Sequence, residues 1–222
     1  MHIGILGSGL MGSKLGTIFA RAGHDVVFSY SRSREKLEQL AAEAGSNARV
    51  GTPAEATRGA DAVLLAVHWT RVDDVLAEAG DLSGKTLLSC SLPMNADDTS
   101  MVIGHSTSGA EVLAQKVPGA HVVCAFSTVP SEVLAAVFER RKKGTPPDLV
   151  YCADEEGAKK TAAALIRDVG FNPVDVGSLS NARYVEPFSL LVAQIAYNGS
   201  DNPALAYRFE HLAERRLQSL RS

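Results

Sequence analysis

The stretch HIGILGSGLMG (His2–Gly12) decides the fold. Its first five residues are a short aliphatic run, and glycines follow at positions 7, 9 and 12, the G-x-G-x-x-G spacing. That spacing is weak evidence alone and strong in this setting. A strand-like run precedes it, a helical stretch follows, and a second strand-like run, Asp25–Ser29, opens thirteen residues after Gly12. Gly7 makes the tight turn, Gly9 lets a pyrophosphate approach the backbone, and Gly12 lets the helix pack on the strand. The helix start, with Ser8, Leu10 and Met11 around it, offers free N–H groups and a partial positive charge to phosphates. The competing reading is that the glycines serve only the turn.

Working outward, Asp61–Val67, Lys85–Ser91, His121–Phe126, Leu149–Ala153 and Pro173–Val176 read as further strands. Between them Leu37, Leu40, Ala41 and Ala44 keep helical spacing, as do Val72, Val75 and Leu76. Ala158, Ala162, Leu165, Ile166 and Val169 do so again, with Asp154 as the expected N-cap and Gly170 just past the end. Strands apolar on both faces and separated by helices predict an α/β fold: a doubly wound, mainly parallel sheet of the Rossmann type over residues 1–180. Residues 181–222 read as a small helical extension. Within it FSLLVAQIAY (Phe188–Tyr197) is apolar nearly all round a helix, so it must be covered. A partner subunit of a homodimer is the expected cover, a central position within one chain the alternative. The extension is expected to close the substrate site and form the dimer interface.

Over 222 residues the net charge is −3, which gives no general attraction to nucleic acid or to an anionic membrane. No apolar run reaches a membrane-spanning length. The sequence enters its first strand without a basic region or cleavage site, so a cytoplasmic protein is expected. Cys90, Cys124 and Cys152 sit in apolar runs without C-x-x-C spacing, and read as free buried thiols rather than metal ligands or disulfides.

The end of the second strand selects the dinucleotide. NAD-binding domains place a carboxylate there for the ribose hydroxyls, and it would repel a 2′-phosphate. Here the run is SYSRSREK (Ser29–Lys36); Asp25 opens the strand and Glu35 lies past the turn. Ser31, Arg32, Arg34 and Lys36 supply hydroxyls and cations suited to phosphate oxygens. The reading is NADP(H), with solvated loop charge as the competitor. At the end of the strand Asp61–Val67 stand Val67, His68 and Trp69, where ligands bind in such sheets. His68 and His105 are candidate loop histidines, while His2, His24 and His121 flank strands and read as structural. No Lys–Asn or Ser–Tyr–Lys constellation stands out, so no catalytic residue is assigned. That pattern suits hydride exchange between two redox rings, which needs no protein acid.

The start MHIGILGSGLMGSKLG, the SYSR run, VHW (Val67–Trp69) and above all GSLSNARYVEP (Gly177–Pro187) resemble the NADPH-dependent F(420) reductase family. The related ferric reductase Rossmann domains, which use a flavin, are similar too. The resemblance implies hydride transfer between NADP(H) and the deazaflavin coenzyme F(420). It implies Ser8, Gly9, Leu10 and Met11 on the pyrophosphate, Ser31 and Arg32 on the 2′-phosphate, and Val67, His68 and Trp69 beside the nicotinamide. The acceptor would lie near Ser91–Asn95, with Ser91 and Pro93, and near Ala125–Pro130, with Ser127. Departures from the family pattern are Ser127 in place of a histidine, His68 in place of a proline, and the basic insert FERRKKGTPPD (Phe138–Asp148). Alternative readings keep NADPH with a flavin, quinone or ferric chelate as acceptor, or make the chain a non-catalytic NADP(H)-binding sensor.

Overall fold

The computed structural model describes residues 1–198 and 202–212. Strands and helices alternate: β1 (His2–Leu6), α1 (Leu10–Arg21), β2 (Asp25–Ser29), α2 (Arg34–Ala44), β3 (Ala48–Val50), α3 (Pro53–Thr57), β4 (Ala62–Leu65) and α4 (Val72–Ala79). They continue as β5 (Thr86–Ser89), α5 (Gly109–Lys116), β6 (His121–Cys124), α6 (Val133–Arg140), β7 (Asp148–Ala153), α7 (Glu156–Val169), β8 (Asn172–Asp175) and α8 (Ala182–Tyr197). The strands form one sheet in the order β3-β2-β1-β4-β5-β6-β7-β8. Every pairing is parallel except β6 with β7. This is the doubly wound Rossmann architecture, and the strand order reverses between β1 and β4, the point where such sheets bind ligands.

The central strands are buried on both faces because helices cover both. One layer packs Ile3, Ile5, Leu15, Phe19, Phe28 and Phe126 with the inner faces of α6 and α7. The other packs Leu6, Val63, Leu65, Val75, Leu113 and Val185. Close approach of the layers depends on small residues: a methyl at Gly16 would stand 2.3 Å from the Phe28 ring, and one at Gly4 2.3 Å from the Ala56 carbonyl oxygen.

The expected strands β4, β5 and β6 are shorter than read, ending at Leu65, Ser89 and Cys124, because the chain bends away at the ligand edge. β3 was not foreseen; it is three residues long and half exposed at the sheet edge. Helix α7 ends at Gly170 in the left-handed region as expected (φ 110°), but its N-cap is Glu155, not Asp154. The Glu155 carboxylate accepts from Gly157 N and Ala158 N, while Asp154 Oδ1 accepts from Leu179 N. Cys124 and Cys152 are buried free thiols; Cys90 is only half-buried.

Of the helices expected over 181–222, the described residues carry one, α8; residues 199–201 and 213–222 lie outside the description. Helix α8 buries Val185, Glu186, Ser189, Val192 and Ala196 against the sheet layer, whereas Tyr184, Leu191 and Ile195 stand exposed in the single chain. Residues 202–212 contain no helix and run as a strap. The Tyr207 carbonyl accepts from Asp148 N, and its hydroxyl bonds Thr128 Oγ1 (2.8 Å) and Val150 N (3.1 Å). Among the described residues no helix is long and apolar enough to cross a membrane, and no cluster of three His, Cys, Asp or Glu could hold a metal ion.

Candidate functional site

A cleft of about 1060 Å³ opens over the carboxyl ends of β1, β2 and β4. Gly7, Ser8 and Gly9 form its floor, Ser31, Arg32, Arg34 and Lys36 one wall, and Val67 and His68 the other. The three glycines divide their work as their spacing predicts. A methyl at Gly7 (φ +114°) would meet the Ala66 carbonyl oxygen at 2.4 Å, and one at Gly12 would meet the Gly7 carbonyl oxygen at 2.0 Å. Those two therefore hold turn and helix together. A methyl at Gly9 would meet nothing within 4 Å, so the bare backbone there faces open cleft. That room fits a pyrophosphate.

Helix α1 starts at this floor with Gly9 as N-cap, no side-chain cap, and no acidic residue in its first turn. Helices α2, α3, α5 and α7 are capped by Ser33, Thr52, Ser108 and Glu155, whereas α4, α6 and α8, like α1, start without a side-chain cap. The α1 N–H groups thus remain available to an anion.

On the cationic wall, Ser31 Oγ accepts from Ser33 N (3.2 Å), which leaves its own hydroxyl proton free to donate. Arg34 is turned along α2 to Glu38 (2.9 Å). No ion pair engages Arg32 or Lys36 among the described residues, and both line the cleft. In all, four basic side chains line it (Arg32, Arg34, Lys36, Arg71) against two carboxylates (Glu55, Glu78). The Glu55 carboxylate is already engaged, accepting from Thr52 N (2.8 Å) in a capping box; these bonds to Thr52 hold it below the usual range.

Several cleft residues were not read from the sequence. Tyr30 has a positive φ (58°), which aims its ring across the cleft end. Its hydroxyl accepts from Arg71 Nη2 (3.0 Å) and Nε (3.2 Å), and this bond leads the causes holding the guanidinium firmly charged. Gly51, Thr52 and Pro53, in the turn between β3 and α3, line the same end. The only sequence signals were the T-P-x-E capping pattern and a lone arginine after VHW.

His68 lines the cleft, yet both ring nitrogens have protein partners: Nδ1 with Thr70 Oγ1 (2.8 Å), Nε2 with Asp98 Oδ1 (3.0 Å). It ties the long Ser91–Ser108 loop to the end of β4, a positioning arrangement rather than one that offers a proton. Ser91 is buried and donates to the Val67 carbonyl (2.7 Å), fixing the neighbouring strand ends. Pro93 packs under Gly109, and Trp69 against the apolar layer below β4, so neither lines the cleft. His105 is exposed in the loop and lines neither cavity.

A second, apolar pocket of about 230 Å³ lies on the far side of the α1 start. Leu10 and Met11, expected on the pyrophosphate, turn their side chains into this pocket. Cys90, Leu92, Phe126, Ser127, Val129 and Pro130 form its floor, and Ser189, Val192, Ala193 and Tyr197 of α8 cover it. Its polar groups are hydroxyls and one thiol: no His, Lys, Arg, Asp or Glu lines it among the described residues. The Cys90 sulfur points inward to the Leu65 carbonyl, and burial pushes the thiol up to about 12. At the rim, Lys14 Nζ donates to Ser131 Oγ (3.0 Å) and Tyr197 donates to Glu132 (2.9 Å). Desolvation and that carboxylate push the Tyr197 phenol up to about 12. The basic residues Arg140–Lys143 of the insert line neither cavity; Arg141 stacks on Phe138 (3.7 Å).

Helix α8 is held over the pocket by a buried carboxylate. Glu186 is 2% exposed and accepts from Gly109 N and Ala110 N (both 2.9 Å) at the start of α5. Burial pushes its carboxyl up to about 7 against those two bonds, which pull it down. Beside it Arg183 makes a bidentate pair with Glu111 (2.6 and 2.8 Å).

A Rossmann sheet with an uncapped glycine-loop helix and a hydroxyl-and-cation wall at the second strand defines the class: the NADP(H)-binding Rossmann domains. Residues 2–93 match the model of the family described as NADP oxidoreductase, coenzyme F(420)-dependent. Metalloreductase STEAP3 of Rattus norvegicus is 32% identical over 188 residues, 85% of this chain and 36% of that protein. The chain thus spans about a third of that relative's length. Among solved structures, a protein of Arthrobacter sp. FB24 described as an F(420)-dependent NADP reductase superposes with a TM-score of 0.83 at 20% identity, covering 95% of this chain and all of that one. A hypothetical protein, SMa0349 of Sinorhizobium meliloti, gives 0.74 at 26% identity, with 95% and 96% covered.

Proposed function

We propose that this chain transfers a hydride between NADP(H), held in the large cleft, and the deazaflavin ring of coenzyme F(420), held in the apolar pocket. The observation that carries this reading is the pocket lining: apolar groups and hydroxyls, with no side chain among the described residues able to exchange a proton near neutral pH. Reduction of a carbonyl needs a positioned acid; hydride exchange between two flat redox rings needs stacking and orientation. NADPH supplies the hydride from its nicotinamide ring. The chain's own part is to hold the pyrophosphate on the Gly7–Gly9 backbone and the α1 N–H groups, and the 2′-phosphate on Ser31, Arg32 and Lys36. Tyr30 and Arg71 border the adenosine end. Leu10, Met11, Phe126 and Val192 exclude water from the acceptor ring.

A second reading replaces the deazaflavin by a flavin or a ferric chelate. It is favoured by the identity to a metalloreductase and by Ser127 standing where the resemblance leads to expect a histidine. The exposed stripe of Tyr184, Leu191 and Ile195 on α8 supports a homodimer. The test follows NADPH oxidation with F(420), riboflavin phosphate and ferric chelate in parallel. Turnover with F(420) alone is the expected result. Turnover with the others alone transfers the assignment to the second reading, and tight NADPH binding without any turnover leaves a sensor.

A further inference from the structure

The acceptor pocket carries a pair of hydroxyls, Ser127 on its floor and Ser189 on the helix that covers it, whose bonding can run in either direction. Ser189 lies on α8, 2% exposed. Its Oγ stands 2.9 Å from the Val185 carbonyl oxygen, one turn back, and 3.0 Å from Ser127 Oγ. A hydroxyl carries one proton, so Ser189 donates to one of these at a time. When it donates to Ser127, the Ser127 proton turns into the pocket and Ser127 is a donor. When it donates to Val185, Ser127 donates to Ser189 and presents its lone pairs to the pocket as an acceptor. The Cys124 thiol beside Ser127 is too weak a partner to hold the pair in one state.

Resting on the hydride-transfer reading above, we propose that Ser127, switched by Ser189, recognises the acceptor ring in both of its redox states. Two-electron reduction of a pyrimidine-fused ring takes a hydride from the nicotinamide at the ring's central position and a proton from solvent at a ring nitrogen. The dinucleotide is oxidised and the ring becomes its dihydro form. A bare ring nitrogen, which accepts a hydrogen bond, thereby becomes N–H, which donates one. A fixed donor would favour the oxidised ring and oppose the reduced one. The reversible pair serves both, with no charged group lining the pocket among the described residues. Ser127 touches the ring and Ser189 is a positioning residue acting through it. Flavins and deazaflavins share this chemistry.

The experiment is an anaerobic titration of oxidised and reduced riboflavin phosphate, and of oxidised and reduced deazaflavin coenzyme, into the NADP-bound protein and its variants. The unaltered protein is expected to bind both redox forms with affinities within about threefold. Ser189→Ala removes the acceptor for the Ser127 proton in one arrangement only. It is expected to weaken the reduced ring about tenfold while moving the oxidised ring by less than about twofold. Ser127→Ala is expected to weaken both. Binding of one ring type alone names the acceptor, and the oxidised-to-reduced ratio on that ring decides. Equal weakening of both forms by Ser189→Ala, with a lowered melting temperature, would make Ser189 a mere anchor of α8 and overturn the proposal. If the unaltered protein binds neither ring, the hydride-transfer reading itself fails and takes this proposal with it.

Discussion

Arg32→Ala is the sharpest test of the cationic wall. Arg32 lines the cleft beside Ser31 and has no ion pair among the described residues, so its charge is available to a ligand. A hydrogen bond to a charged group contributes about 1.5–3 kcal/mol. Because Arg32 is exposed, solvent screening places the expected loss at the lower end, roughly tenfold to thirtyfold in NADPH affinity. NADH, which lacks the 2′-phosphate, should lose less than about twofold. Arg34 serves as an internal control: its guanidinium is already bonded to Glu38 on α2 (2.9 Å), so Arg34→Ala should cost less than about 0.5 kcal/mol for either dinucleotide. The assay is a calorimetric or fluorescence titration of NADPH and NADH against the three proteins at low and high salt. The NADPH preference should shrink as salt rises. Equal losses for NADPH and NADH in Arg32→Ala, or the same loss from Arg34→Ala, would refute the clamp.

Gly12→Ala drives a methyl to 2.0 Å from the Gly7 carbonyl oxygen and should cost about 1–3 kcal/mol of stability, read by urea unfolding, with a matching loss of NADPH affinity. Glu186 sets a pH dependence. Its folded pKa, about 7, lies above the 4.5 of an unperturbed carboxyl, so the unfolded chain releases this proton first as pH rises. Stability from this group is therefore full below about pH 4.5 and lost as pH rises through about 7, on the order of 2–3 kcal/mol, and Glu186→Gln should flatten that slope in denaturant titrations. The apolar stripe on α8 should hold two chains together: light scattering should give twice the chain mass, and Ile195→Glu should return the mass of one chain.

The fold was legible because β1, the glycine loop and β2 make a local signal whose parts explain one another. Of the cleft lining, the residues chosen by type were legible, as at Gly9 and Arg32, and those chosen only by position were not. Tyr30 and Arg71 lie 41 residues apart and meet only because β2 and β4 flank β1. The edge strand β3 is too short to show a period. The apolar run Phe188–Tyr197 was read correctly as a helix, but composition does not say which face the chain itself covers. Asp154 and Glu155 are adjacent acids, and only the loop beyond β7 decides which caps α7 and which receives Leu179 N. Leu10 and Met11 belong to the loop by sequence, yet their Cα–Cβ directions send them across α1 into the second pocket.

The bare start of α1 has a consequence beyond recognition. In α2, α3, α5 and α7 the chain supplies the oxygen that finishes the helix, and in α5 it adds the Glu186 carboxylate from elsewhere in the fold. Helices α4, α6 and α8 also start without it, but α1 starts at the cleft floor, where the proposed function has the dinucleotide supply that last component. Cofactor occupancy and folding then become one equilibrium, in which each tenfold rise of free NADPH above its dissociation constant adds about 1.4 kcal/mol to the native state. The melting temperature of this protein should serve as a gauge of how much dinucleotide its surroundings hold.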